Sequence, residues 1–243
     1  MVKPLIYAHR GASCYAPENT MASFNKAVEM GADGIEIDVH MSKDGYLIVC
    51  HDEKVDRTTN GNGYIKDINM KELKKLDAGS WFGKEFTGEK IPLLEEVLEL
   101  VKSENLLLNI ELKNGPIFYD NLEKNVVNLI RDFGLVENVI ISSFNHYSLL
   151  GIKKLEPKLK TGILYIAGMV APWKYAKSIG ADAIHPLYVT INKEVVEDCI
   201  KNGIMVNPFT VDRESDMILM RKINVTGIIT NCPDIGRNVV DNL

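Results

Sequence analysis

The strongest constraint on the fold of this chain is an alternation that runs almost from end to end, in which apolar stretches of strand length are followed by amphipathic stretches of helix length. The strand-length runs fall at 5–9, 34–39, 106–112, 139–143, 161–165, 183–185, 205–210 and 227–230. Helical patterns fall at 21–30, 93–102, 119–133, 147–155, 173–179, 193–201, 215–222 and 235–240. This alternation predicts parallel strands joined by crossover helices. Gly31, Gly134, Gly180 and Gly203 each close a helical stretch a few residues before a strand, where a left-handed cap residue is wanted. Eight such strands fit an open doubly wound sheet or a closed barrel. No Gly-x-Gly-x-x-Gly follows the first strand, which removes the usual mark of a nucleotide-binding sheet. The 243 residues match one (β/α)8 unit, which typically takes about 200–250. The expected fold is α/β, a TIM-type (β/α)8 barrel forming a single domain over 1–243.

The rhythm breaks once, after the second strand. Residues 64–68, a short helix-like 70–76 and a turn-rich 79–90 predict a small insertion over about 53–90. It leaves from the C-terminal end of a strand, the face at which barrels carry their function, so it either overhangs the mouth or decorates the fold.

Composition removes several classes of function. The chain has 28 basic and 33 acidic residues, a net charge of -5, and no long run of either sign. A nucleic-acid partner would want a basic surface, so none is expected, whereas local residues can bind a small anion at any net charge. The four cysteines, Cys14, Cys50, Cys199 and Cys232, are too far apart for a Cys-x-x-Cys pair and too few to staple a chain of this size. A reducing compartment is the simpler reading. The first ten residues, MVKPLIYAHR, do not form a signal peptide, and no window reaches the roughly 18 apolar residues of a membrane span. The expected protein is soluble and cytoplasmic.

In a strand, residues i and i+2 share a face, so Glu36 and Asp38 in GIEIDV point together, as do Glu111 and Lys113 in LNIELK. Ile35, Ile37, Val39, Ile110 and Leu112 suit the opposite face, against the helices. Three carboxylates and one lysine therefore meet at the barrel end. Burying them uncompensated would cost several kcal/mol per ion. A salt-bridged plug is one resolution. The excess negative charge favours another, a divalent cation, and all-oxygen ligands suit Mg2+ or Ca2+.

His9 ends the first strand and His51 ends the apolar run 46–50, so both stand at the rim towards which the carboxylates point. Histidine titrates near neutrality, and two of them across a substrate make an acid/base pair. His40 shares parity with Glu36 and Asp38 and reads, like His185, as a supporting or structural residue. His146 reads as a helix-start residue. Arg10 and Lys113 supply cations for a phosphate, and Pro17-Glu18-Asn19-Thr20 reads as a loop entering the first helix, with Asn19 a capping residue or a ligand contact. Cations, a divalent metal and two histidines point to phosphoryl chemistry.

The ordered set His9-Arg10-Gly11, Pro17-Glu18-Asn19-Thr20, Gly31-Ala32-Asp33, Glu36-Ile37-Asp38-Val39, Lys43-Asp44-Gly45 and His51-Asp52 resembles the glycerophosphodiester phosphodiesterase family. The resemblance continues through Arg57-Thr58-Thr59-Asn60-Gly61, Asp77-Ala78-Gly79, 91–98, Glu111-Leu112-Lys113 and Ser143-Phe144, spanning barrel and insertion. It implies a TIM-type barrel that uses one divalent cation to hydrolyse a small-molecule glycerophosphodiester to glycerol 3-phosphate and an alcohol. Carried over by position, Glu36, Asp38 and Glu111 would be metal ligands, His9 and His51 the general acid/base pair, and Arg10 and Lys113 the phosphate holders. The nucleophile would be water or the glycerol 2-hydroxyl. Where the family commonly shows Trp-Thr-Val-Asn, this chain reads Phe209-Thr210-Val211-Asp212, so Phe209 would keep an apolar wall at the substrate without an indole N–H. Asn231 stands where the family frequently has Asp.

Other readings of the same residues are a lysophospholipase D-like phosphodiesterase, a non-catalytic barrel that binds glycerol phosphates, and a Schiff-base aldolase built on Lys113. Glu111, on the same face, would keep Lys113 protonated, which argues against the last.

Overall fold

A computed structural model describes residues 3–242. Eight parallel strands form the barrel: β1 (Leu5–His9), β2 (Gly34–Met41), β4 (Leu107–Leu112), β5 (Val139–Ser143), β6 (Lys160–Tyr165), β7 (Ala183–Pro186), β8 (Met205–Val206) and β9 (Gly227–Thr230), in the order β8-β7-β6-β5-β4-β2-β1-β9. Backbone bonds from Thr226 N to Val206 O at 2.9 Å and from Ile229 N to Pro208 O at 3.0 Å close the ring between β8 and β9. All eight predicted strands are barrel strands. The strand β3 (Leu47–Val49) pairs antiparallel with the end of β2 through a turn at Ser42–Gly45, adding a hairpin arm that strand counting did not anticipate.

Helices α1 (Met21–Glu29), α3 (Leu94–Ser103), α4 (Leu122–Phe133), α5 (His146–Leu155), α6 (Pro172–Ser178), α7 (Lys193–Lys201), α8 (Glu214–Lys222) and α9 (Pro233–Asn242) cover the outside. Each buries one stripe: α4 turns Leu122, Val126, Val127 and Ile130 inwards, positions that fall on one face of a helix. The strand side chains that meet these stripes, such as Ile35, Ile37, Leu108, Ile110 and Ile141, are fully buried. The predicted glycine caps hold, with Gly31, Gly134, Gly180 and Gly203 at φ between 71° and 75°.

Boundaries move where local chemistry overrides periodicity. The helix expected from 119 begins at Leu122, because Asn121 takes a left-handed φ of 67°. The strand expected over 205–210 shortens to Met205–Val206, since Pro208 has no N–H to give a ladder. Thr20, not Asn19, caps α1, accepting from the Ser23 N–H.

Residues 53–90 carry 3-10 turns at Ile65–Asp67 and Lys84–Phe86 and the short helix α2 (Met70–Leu73). Val55, Ile65, Leu73 and Ala78 bury against Ile48, Cys50 and Ile91 as a small apolar cluster separate from the barrel core, so β3 is the seam between segment and barrel.

The cysteine expectation is corrected. Cys14 and Cys232 form a disulfide across 218 positions, with Cα atoms 5.5 Å apart, while Cys50 and Cys199 are free and buried. Strand order is the reason: β1 and β9 are neighbours, so the loops that follow them meet. Two of the four cysteines thus staple the chain's ends, and cysteine usage does not argue for a reducing compartment. Among the described residues, no helix is long and apolar enough to cross a membrane.

His185 stands inside the barrel, 1% exposed, its Nε2 accepting from the Asn207 amide at 3.2 Å and its ring over Gly162. Burial lowers its pKa from 6.5 to about 3. Below pH 6.5 the unfolded chain therefore binds a proton that the folded one refuses, and stability present above 6.5 is lost as pH falls towards the folded value. A His185→Gln variant should show a shallower fall in Tm between about pH 6.5 and 4 than the parent, by calorimetry. Parallel curves would show that His185 does not carry this acid sensitivity.

Candidate active site

The parallel register sets Asp38 of β2 opposite Glu111 of β4, one level above Glu36, so side chains that share parity in each strand converge at the same end of the barrel. Glu36 and Asp38 are 3% and 1% exposed, and ligand oxygens of Glu36, Asp38 and Glu111 lie within 4.8 Å of one another. The Lys113 ammonium lies 2.6 Å from Glu111 Oε1 and 2.9 Å from Asp38 Oδ1.

The loop after β1 supplies the rest of this charge. Arg10 takes a left-handed φ of 56°, and its backbone N–H donates to Glu36 Oε2 at 3.0 Å. Its guanidinium donates to Glu18 at 2.9 Å and lies 3.4 Å from Asp38. Gly11 makes the turn possible, with φ 82° and a position where a Cβ would run into Ser23. Asn19, also left-handed, donates from Nδ2 to Asp38 Oδ2 at 2.9 Å.

The carboxylates are not equivalent. Burial alone would raise the Asp38 pKa, but Lys113 and Arg10 hold it well below the usual carboxylate range. Burial and the neighbouring Asp38 and Glu111 push Glu36 well up. Burial, together with Asp38, raises Glu111 to about 7 against the pull of Lys113. This is the crowding that a divalent cation would relieve, and three carboxylates with no sulfur or imidazole among them form a hard-oxygen donor set. Lys113 is held as an ammonium: burial opposes its charge, but Asp38 and Glu111 raise its pKa above the ordinary lysine value, which removes the amine that a Schiff base needs.

The two histidines have contrasting partners. His9 Nε2 faces Glu36 Oε2 at 3.9 Å, and its Nδ1 lies 2.7 Å from Asn231 Oδ1. Burial and the Arg10 charge lower its pKa to about 4. His51 Nδ1 lies 2.6 Å from the Asp52 carboxylate. Burial, with Lys113 and Arg10 nearby, lowers its pKa as well, but less of it is enclosed.

Asp52 is in turn held by Arg57, which reaches back from segment 53–90. Arg57 donates to Asp52 Oδ2 at 2.8 Å and, through both terminal nitrogens, to Glu18 at 2.9 and 2.7 Å. Hydrogen bonds from Arg57, then from His51, keep the Asp52 pKa below the ordinary aspartate range. A continuous chain Arg10–Glu18–Arg57–Asp52–His51 thus ties the loop after β1 to the second histidine. Glu18, Asn19 and Arg57 sit in motifs the sequence marks, but their pairing could not be read there, because it depends on a segment folding back over the mouth.

His40 lies below the rim, its Nδ1 2.9 Å from the Tyr119 hydroxyl and its Nε2 3.1 Å from the His51 carbonyl, so it supports the loop bearing His51. His146 is the first residue of α5, bonded to Tyr175 and the Leu164 carbonyl. Phe209 packs edge-to-face on Phe144 at 6.1 Å. Beside Glu111 and Lys113 opens a 410 Å³ cavity walled by Phe118, Phe144 and Tyr147, which are 77%, 50% and 84% exposed.

The chain resembles known proteins over nearly its whole length. The chain is 52% identical over 239 residues, 98% of each chain, to a glycerophosphodiester phosphodiesterase of Caldanaerobacter subterraneus subsp. tengcongensis. It is 43% identical over 232 residues to one of Bacillus altitudinis, covering 94% of this chain and 95% of the other. Among solved structures, a phosphodiesterase of Oleispira antarctica in complex with its product sn-glycerol-3-phosphate superposes with a TM-score of 0.90 at 32% identity, covering 98% of this chain and 97% of that one. Residues 9–235 match the glycerophosphoryl diester phosphodiesterase family, and the chain belongs to it.

Proposed function

We propose that this protein hydrolyses glycerophosphodiesters to glycerol 3-phosphate and an alcohol, with His9 and His51 as the acid/base pair and one divalent cation held by Glu36, Asp38 and Glu111. The observation that carries this reading is a carboxylate cluster whose Asp38 feels both His9 and His51, with His9 facing Glu36 directly. The activity itself comes from the relatives so named, one of them alike over 98% of both chains.

When bound, the cation supplies Lewis-acid charge to the phosphodiester. The chain's own groups do the remainder. Arg10 and Lys113 offer N–H donors to phosphate oxygens, stabilising charge that builds up during displacement. One histidine takes the proton of the attacking hydroxyl, from water or from the glycerol 2-hydroxyl, and the other gives a proton to the departing alkoxide. The P–O bond to the alcohol breaks as the new P–O bond forms; attack by water gives glycerol 3-phosphate directly, and attack by the 2-hydroxyl gives a cyclic phosphate that water then opens. Segment 53–90 acts within the same catalytic unit, delivering Arg57 to brace Asp52 and His51.

One observation favours a second reading of the substrate. The aromatic wall of Phe118, Phe144 and Tyr147 next to Lys113 suits a leaving group or a glycerol substituent with an apolar body, as in a lysophospholipase D-like reaction.

Replacing His9 or His51 by Ala should lower kcat by about 10²–10⁴-fold on glycerophosphocholine, read by coupled glycerol 3-phosphate detection. Near-normal turnover of both variants with cation present would remove the pair from catalysis. Exhaustive chelation should abolish turnover, and Mg2+ or Ca2+ should restore it; full activity in chelator would exclude the metal. Measured side by side, kcat/KM for glycerophosphocholine should exceed that for a lysophosphatidylcholine. The reverse order, lost on Phe144→Ala, would establish the lipid-acting reading instead.

A further inference from the structure

The hydrogen bonds behind His9 form a directional set that extends beyond the proposed catalytic groups. Asp212 lies in the loop after β8, and its carboxylate accepts from the Asn231 backbone N–H at 2.9 Å and from Asn231 Nδ2 at 2.7 Å, with the Thr230 hydroxyl at 3.2 Å. An ionised carboxylate only accepts, so the Asn231 amide must turn its nitrogen to Asp212 and its oxygen to His9. That oxygen cannot donate, so His9 Nδ1, 2.7 Å away, must carry the hydrogen. The Ser13 hydroxyl lies 2.7 Å from the same oxygen and 2.9 Å from the His9 carbonyl, with one proton to give to either. His9 Nε2, on the other side of the ring, is left facing the carboxylate cluster.

We propose that Asp212 is a positioning residue that acts through the Asn231 amide to hold His9 as its Nδ1–H tautomer, with the Nε2 lone pair directed at the substrate. This rests on the reading of His9 as an acid/base group. Its content is the polarity of one pair: a carboxylate at 212 dictates which end of the amide at 231 meets the imidazole. Two of the three C-terminal positions at which the chain departs from its family's usual residues, Asp212 and Asn231, are thus each other's partners.

Reversing one member alone should fail. In Asp212→Asn, an amide nitrogen can face the Asn231 nitrogen. The conflict is relieved by rotating Asn231, which then presents N–H to Nδ1 and drives the ring proton to Nε2. In Asn231→Asp, two carboxylates face each other. Exchanging both, Asp212→Asn with Asn231→Asp, restores donor to acceptor at every contact and again accepts from Nδ1–H.

Two measurements test the proposal. In [15N]histidine-labelled protein, with His9 assigned by the signal lost in His9→Ala, the parent should show a protonated Nδ1 and a bare Nε2, and Asp212→Asn should shift towards the opposite tautomer. An Nε2–H tautomer in the parent overturns the proposal without any variant having to fold. In kinetics, each single substitution should lower kcat by about 10²-fold with little change in KM, consistent with the loss of one acid/base group. The exchanged pair should be about tenfold or more faster than either single variant, the signature of coupled residues. An exchanged pair no faster than the singles overturns the proposal. A shifted tautomer with undiminished kcat also overturns it, and equal activity of His9→Ala would show that the histidine assignment itself had failed.

Discussion

The mouth of this barrel is organised around charge that cannot be left unmatched. Glu36, Asp38 and Glu111 are crowded together where water barely reaches, and a buried ion costs several kcal/mol unless opposite charge and hydrogen bonds meet it. Lys113 meets two of the carboxylates and Arg10 meets the cluster from the other side, with its backbone as well as its side chain. Those demands explain the surrounding conformations. The left-handed backbone at Arg10 and Asn19 brings donors to Glu36 and Asp38, and Gly11 occupies the position where a side chain would collide with α1.

The same requirement separates the two histidines. His51 is backed by a carboxylate that is itself clamped by Arg57, so charge alternates outwards along Asp52, Arg57 and Glu18. His9 is backed by a neutral amide whose charge partner, Asp212, lies one residue further away. An imidazole against a carboxylate is helped to hold a second proton, whereas one against an amide oxygen is oriented with less electrostatic help. The two imidazoles thus meet different Nδ1 partners, an amide oxygen and a carboxylate, while burial lowers the pKa of both.

Much of this was legible in the sequence because two periodicities carry it. Parity in GIEIDV and LNIELK placed Glu36, Asp38, Glu111 and Lys113 on one face, and the alternation of strand and helix placed that face inside a barrel. Contacts that depend on closure were not legible. Arg57 reaches Glu18 across 39 positions and Asn231 reaches His9 across 222, and no local pattern encodes either distance. The disulfide was missed for the same reason, since the proximity of Cys14 and Cys232 follows from strand order and not from spacing. At the scale of single residues, Asn121 and Pro208 ended elements that periodicity would have continued.

The pairing of β1 with β9 also has a consequence in time. His9 leaves a ribosome 222 residues ahead of its partner Asn231. Until the final strand is free to dock, the ring is open and the imidazole has nothing to orient it. The carboxylates of β2 and β4 are thus synthesised well before the residues that back His9. A contact of such long sequence separation carries a large loop-closure cost, so it belongs to the closing of the ring and not to local folding.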